Sequence, residues 1–134
     1  MTEPKWVTRQ QVEFIHEAVI EMAGGAHGLR DAALFESALA RPQNQYAYGE
    51  TDTFQLAASY AEAISRNHAF VDGNKRTAFY VAVDFLEQNG FQLQAAKGVE
   101  YAEMMEHLGQ GKITRDQAAV HLRECSMSLF IQPF

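Results

Sequence analysis

Within the stretch HAFVDGNKRTAF at positions 68–79, the residues from His68 to Arg76 gather an imidazole, a carboxylate, a Gly-Asn turn and two adjacent cations, immediately ahead of an apolar run. The first backbone N–H groups of a helix have no partner inside it, and with the helix dipole they attract anions. Gly73 and Asn74 stand where such a helix entry is expected. Glycine allows positive φ or close approach of the backbone to a ligand, and the Asn74 amide can pin the turn. Lys75 then adds a point charge and Arg76 a planar fork able to grip a phosphate with two bonds. The group suits a polyphosphate. Asp72 would repel that anion by itself, and a Mg²⁺ ion removes the contradiction, because Mg²⁺ takes one or two carboxylates together with phosphate oxygens and waters. His68 is left to act as a general base on an attacking hydroxyl, an imidazole having an ordinary pKa of about 6.5.

Each of these residues alone has a more ordinary use. His68 could be a hydrogen-bonded histidine, Asp72 a helix cap, Gly73 and Asn74 a turn, and Lys75 with Arg76 a solvated charge pair. Phe70 reads as a core anchor for the loop. Only their joint occurrence, with compatible roles for a nucleotide, a metal and a base, favours a site. Elsewhere the signals are weaker. GGAHG at 24–28 lacks the strand context of a dinucleotide fingerprint and reads as a helix stop, and GNKRT lacks the upstream glycine of a Walker loop. His16, His27, His107 and His121 show no metal-ligand spacing, and Cys125 and the methionines read as packing residues.

The elements that must position the motif read as helices. Thr8 with Gln11 forms a capping box, and Val12, Ile15, Val19 and Met22 follow at helical spacing until Gly24-Gly25. Asp31 caps a second helix carrying Leu34, Phe35, Ala38 and Leu39 inward, expected to end at Arg41-Pro42, with RPQNQYAYGETD as a loop or extended arm. Asp52 with Gln55 opens a third, running to about Asn67. TAFYVAVDFLEQNG is apolar nearly all round, which predicts a central buried helix closed by Gly90. FQLQ reads as a short extended piece, Tyr101, Met104, Met105 and Leu108 as a helix ending at Gly109, and Thr114 with Gln117 as the cap of a last helix. The apolar tail SMSLFIQPF, around Leu129, Phe130 and Ile131, has no clear period and could dock, pair as an edge or meet a partner. The expectation is a mostly helical domain with its densest chemistry on the loop entering its most hydrophobic helix.

Bulk properties bound the function. With 134 residues, 9 Gly and 3 Pro and no polar linker, the chain reads as one domain over 1–134. The net charge of −6 and the absence of a basic stripe argue against direct nucleic-acid binding. A single cysteine, no signal-like N-terminal stretch and no apolar run of membrane-spanning length suggest a cytoplasmic protein with no membrane partner.

HAFVDGNKRTA resembles the signature of the Fic/Doc superfamily, whose Fic branch reads H-x-F-x-[DE]-G-N-G-R-x-x-R and whose Doc (death-on-curing) branch carries Lys after the Asn. GLRDAALFESALARPQNQYAY is similar to the region upstream of the motif in Doc-type proteins, so the likeness spans most of the chain. Lys75 stands in place of the Fic glycine and Phe79 in place of its second arginine, and both departures point to the Doc branch. The resemblance implies an all-α bundle in which the loop from His68 to Arg76 joins two central helices. It also implies use of ATP and Mg²⁺. Fic members transfer AMP to a protein hydroxyl, whereas Doc toxins transfer the γ-phosphate to a threonine of elongation factor Tu and arrest translation. Carried onto this chain, His68 is the base, Asp72 the Mg²⁺ ligand, Gly73 and Asn74 the anion-binding turn, and Lys75 and Arg76 the phosphate contacts, with Arg66 near enough to contribute. A lysine side chain fills space that glycine leaves to the phosphates, which would reverse the direction in which the nucleotide enters. No match to the inhibitory [ST]-x-x-x-E-[GN] helix of Fic proteins occurs, so the resemblance implies a separate antitoxin whose segment folds into a groove beside the site. The competing readings are an AMP transferase and a catalytically silent binding domain.

Overall fold

The computed structural model describes residues 2–129, which form six helices and one small sheet in the order α1 (Arg9–Ala23), α2 (Ala32–Ala47), α3 (Thr53–Asn67), α4 (Asn74–Gln88), β1 (Phe91–Leu93), α5 (Glu100–Gly109), α6 (Arg115–Glu124) and β2 (Ser126–Ser128). The expected all-α class is observed. Both capping boxes form at the starts of α1 and α6, where Thr8 and Thr114 each accept from the backbone of the glutamine three residues on and are bonded by its side chain in return.

The fold is built around α3, the most enclosed helix, on which Leu56, Ala57, Ala58, Tyr60, Ala61 and Ala63 have no exposed surface. Small residues on this helix let α2, α4 and α6 pack closely against it. α4 buries Thr77, Ala78, Val81, Ala82, Phe85 and Leu86 but leaves Tyr80 well exposed, so its enclosure is one-sided rather than complete. The loop 68–73 therefore joins the two helices that share the core.

Three expectations need correction. α2 does not stop at Pro42 but runs on to Ala47, so residues 41–47 are helical rather than loop. A proline inside a helix costs about 3 kcal/mol. Here it is offset by packing: Pro42 is itself fully buried, and one turn on Tyr46 meets Trp6 edge to face at 5.6 Å. At the start of α3, Asp52 does cap Phe54, but Gln55 accepts from Arg115 instead of returning to the cap, so only half of the box exists. On α1 the inward stripe is Val12, His16, Val19 and Ile20, and Met22 points outward, 78% exposed. Gly90, with φ +96, follows the end of α4 as expected. The first residues of the apolar tail pair as β2 with β1, antiparallel, Gln92 opposite Met127; Phe130 and Ile131 lie outside the described residues. Among the described residues no helix is long and apolar enough to cross a membrane.

Tyr60 is buried at the centre, its hydroxyl accepting from the Val7 N–H at 3.2 Å, and burial pushes its phenol up to about 12. A folded-state value above the unfolded value of about 10 means the contribution is complete below pH 10 and is lost as pH rises through about 12. A two-unit shift corresponds to about 2.7 kcal/mol. Denaturant midpoints followed by circular dichroism should therefore hold to about pH 9.5 and then fall. Tyr60→Phe should remove much of that fall at a cost of about 1 kcal/mol near neutrality. A fall of undiminished size in the variant would exclude Tyr60 as its source.

Candidate active site

α3 ends at Asn67, and His68 turns the chain in a left-handed conformation, φ +51 and ψ +44, the only non-glycine positive φ among the described residues. This reversal sends the chain across the ends of α1 and α2 before it re-enters a helix. Main-chain bonds then fasten the loop to residues 28–31: Arg30 and Asp31 donate to the Ala69 carbonyl, and Val71 donates to that of Gly28. The Arg30 side chain donates to the His68 carbonyl at 2.8 Å. Phe70 is buried, stacked on the His16 ring at 3.8 Å and tilted against Phe35 at 5.2 Å. It anchors the loop as its apolar character implied.

Asn74 closes the loop on itself. Its Oδ1 accepts from the Phe70 N–H and its Nδ2 donates to the Phe70 carbonyl, both at 3.0 Å. The amide is thus spent on holding the turn. Gly73 precedes it with φ +77, and a Cβ there would lie 3.0 Å from Ile20 Cδ1, so a side chain would be strained in conformation and would have to push Ile20 aside. Gly73 caps α4 without a side-chain bond, and the first intrahelical bond runs from Thr77 to Gly73. Among the described residues the N–H groups that open α4 have no bonded partner, which leaves them to meet an anion.

Around this helix entry lies a cleft of about 440 Å³ whose walls include His68, Asp72, Gly73, Asn74, Lys75 and Arg76, with Gly24 and Gly25 facing them. His68, Asp72, Lys75 and Arg76 are exposed. Among the described residues the His68 ring and the Arg76 guanidinium make no hydrogen bond or ion pair, so both are available to a ligand. Asp72 is held on both sides: Oδ2 accepts from the Ala26 N–H at 2.8 Å, and its carbonyl accepts from His16 Nε2 at 2.7 Å. Oδ1 stays free among the described residues. No group of three His, Cys, Asp or Glu gathers there. One carboxylate oxygen without a partner among the described residues, beside the N–H groups that open a helix, fits Mg²⁺, which takes few protein ligands and keeps several waters.

Two of the expected site residues bond to α5. Arg66, expected beside the nucleotide, donates through Nε and Nη2 to the Leu108 carbonyl and pairs with Glu62, which ties α3 to the end of α5 and keeps its guanidinium out of the cleft walls. Lys75 reaches across to α5, where its Nζ meets Glu106 at 2.6 Å while Gln110 donates to the other oxygen of the same carboxylate. The hydrogen bond from Lys75 and its charge hold the Glu106 carboxyl below the usual carboxylate range. Neither His16 nor Glu106 was singled out from sequence. A signal existed for His16, which sits at the inward spacing of Val12 and Val19; none existed for Glu106.

Comparison with known proteins agrees with the motif. The Fic/DOC family model matches residues 6–86. The chain is 35% identical over 118 residues to the protein kinase doc of Escherichia phage P1, spanning 87% of this chain and 92% of that protein. It is 46% identical over 83 residues to the toxin Doc of Mycolicibacterium smegmatis, spanning 60% of this chain and 63% of that protein.

Proposed function

The chain belongs to the Fic/DOC family, and we propose that it is a cytoplasmic Doc-type toxin, one domain over 1–134, that transfers the γ-phosphate of ATP to a threonine hydroxyl of elongation factor Tu. The observation that carries this reading is Lys75 at the entry of α4, lining the same cleft as a His68 ring without a partner among the described residues, and in the place where the Fic branch has glycine. The names of the two relatives, a protein kinase and a toxin, support it. Phe79 also favours a kinase over AMP transfer: it is half-buried against Tyr101 at 5.2 Å, so the second Fic arginine has no counterpart there.

In this mechanism His68 takes the proton of the target hydroxyl, and the freed oxygen attacks the γ-phosphorus. The bond from that phosphorus to the β–γ bridging oxygen breaks, and ADP leaves with the electron pair. The N–H groups opening α4, Lys75 and Arg76 neutralise charge on the phosphates. Asp72 would hold Mg²⁺, which supplies charge neutralisation and a fixed orientation of the phosphate chain. Gly73 keeps the backbone open to the ligand, and Asn74 fixes the turn that aims the donors.

Label transfer tests the reading. With Mg²⁺ and purified elongation factor Tu, γ-labelled ATP should label the target and α-labelled ATP should not, with His68→Ala as control. Label from the α position would make the protein an AMP transferase, and absence of both, with ATP still bound, a silent binding domain.

Lys75 must exchange Glu106 for phosphate when nucleotide binds. Both partners are about half exposed, so the pair itself is weak. Removing the competing charge should still help: Glu106→Gln is expected to bind ATP two- to fivefold tighter at low salt, a gain that shrinks above 0.5 M salt as screening grows. Calorimetric titration at two ionic strengths measures it; weaker binding in the variant would mean that Glu106 positions the lysine instead.

The antitoxin implied by this reading would need an apolar surface to fold against. Phe14, Ala18, Met22 and Tyr80 line an open apolar groove of about 290 Å³ between α1 and α4. Phe14 and Met22 are 73% and 78% exposed, an arrangement suited to an amphipathic segment that folds on binding. Met22→Glu should weaken antitoxin binding at least tenfold and leave phosphate transfer unchanged; undiminished binding would place the antitoxin elsewhere.

A further inference from the structure

His16 is 5% exposed and is the one polar side chain among the buried residues described for α1. Burying an imidazole where phenylalanine would pack as well has a cost unless its nitrogen is used. Here it is used on one atom: Nε2 donates to the carbonyl of Asp72 at 2.7 Å, with the ring face flat on Phe70 at an interplanar angle of 9°. An acceptor carbonyl requires the proton on Nε2.

Three contacts converge on Asp72. His16 fixes its carbonyl, the Ala26 N–H fixes Oδ2, and Gly25, with φ +117, comes so near that an added Cβ would sit 3.3 Å from Asp72 Cβ. The same imidazole also closes on Gly73, its Cδ2 lying 3.8 Å from where a Cβ would stand. Together these leave Oδ1 as the carboxylate oxygen without a partner among the described residues, on a side chain that lines the cleft. A carboxylate that contributes a single oxygen to Mg²⁺ has no other protein ligand to correct its aim, so its orientation must be set by what holds its backbone and its second oxygen.

We propose that His16 is a positioning residue for the metal-binding carboxylate, its Nε2–H bond to the Asp72 carbonyl setting the direction of Asp72 Oδ1. The inference rests on the reading of Asp72 as the Mg²⁺ ligand. His16→Phe keeps the stacked ring and removes the donor; His16→Gln keeps a donor at similar reach and removes the ring. Binding of Mn²⁺ with ATP, followed by the paramagnetic resonance of free Mn²⁺, should weaken five- to twentyfold in His16→Phe and stay within about twofold in His16→Gln. Turnover at saturating Mg²⁺ should change less than threefold in both, because only the metal requirement moves. Unaltered Mn²⁺ binding in His16→Phe, or equal weakening in both variants, overturns the proposal. Asp72→Asn separates it from its premise: weakened binding in Asp72→Asn with none in His16→Phe sinks the role of His16 alone, whereas no effect in Asp72→Asn removes the metal reading and the inference with it. Should the phenylalanine variant not fold, the unaltered protein still provides a test. The His16 Nε2–H proton resonance should shift when Mg²⁺ and ADP are added and should not shift in Asp72→Asn; a resonance indifferent to Mg²⁺ and ADP in the parent counts against the proposal.

Discussion

Replacing His68 with glycine is expected to reduce phosphate transfer by 10²–10⁴-fold, the usual range for loss of a general base, while leaving the protein at least as stable as the parent. The two halves of this expectation come from different properties of one residue. The ring is exposed and has no bonded partner among the described residues, so its removal takes little packing with it. The backbone at φ +51 is strained for any residue with a Cβ, by about 1–2 kcal/mol, and glycine relieves that strain. His68→Ala should be equally inactive but should not gain stability, and His68→Asn should lie between them. Thermal unfolding and label transfer on the three variants check both halves. Appreciable activity in a folded His68→Gly would exclude His68 as the base. A large loss of stability would mean that the ring carries structure after all.

The second large effect is expected at Asn74. Its amide satisfies both the N–H and the carbonyl of Phe70, two main-chain groups at the edge of the core. Asn74→Ala leaves both without a partner, at a cost of about 1–3 kcal/mol for each group that water cannot reach. A loss of about 2–4 kcal/mol should appear in denaturant unfolding, with transfer reduced more than tenfold in protein that remains folded, because the turn no longer aims the N–H groups of α4. Asn74→Asp is the informative companion. It retains the acceptor for the Phe70 N–H, loses the donor, and sets a negative charge where phosphate should bind. It should therefore retain more stability than alanine but no more activity. An alanine variant with parental stability would show that water replaces the amide.

Local signals were legible in proportion to how local their causes are. The capping residues Thr8, Asp31 and Thr114 act within one turn, and each starts a helix where the sequence indicates. The motif from His68 to Arg76 is contiguous, so its gathering around one helix entry could be read directly. Pro42 misled because its local penalty is overridden by its burial in the folded chain, which no window around residue 42 reveals. Asp52 with Gln55 carried the capping pattern, yet Gln55 is taken by Arg115, a partner 60 residues away. Arg66 lay close to the motif in sequence but sits on the exposed last turn of α3, where the nearest acceptors belong to α5. Glu106 reaches Lys75 from 31 residues away, across a packing of helices that sequence spacing does not encode.

The loop that carries the motif is fastened mainly from afar: Arg30, Ala26 and His16 grip it across separations of 38, 46 and 56 residues. Contacts of such range form late, since the chain between them must be ordered before they repay its entropy. Ribosomal synthesis delivers α1 and α2 first, and although α2 can dock on α3, the residues that grip the loop wait for the segment after α3 to emerge. Catalytic competence should therefore arrive as one of the last steps of maturation rather than accrue with each helix. Pulse-labelled hydrogen exchange on refolding chains would register the amides of Ala26 and Val71 among the final ones protected. For a protein that would halt translation, such an assembly sequence has a biological corollary: the polypeptide being made is inert towards the machinery making it until its own fold is nearly complete.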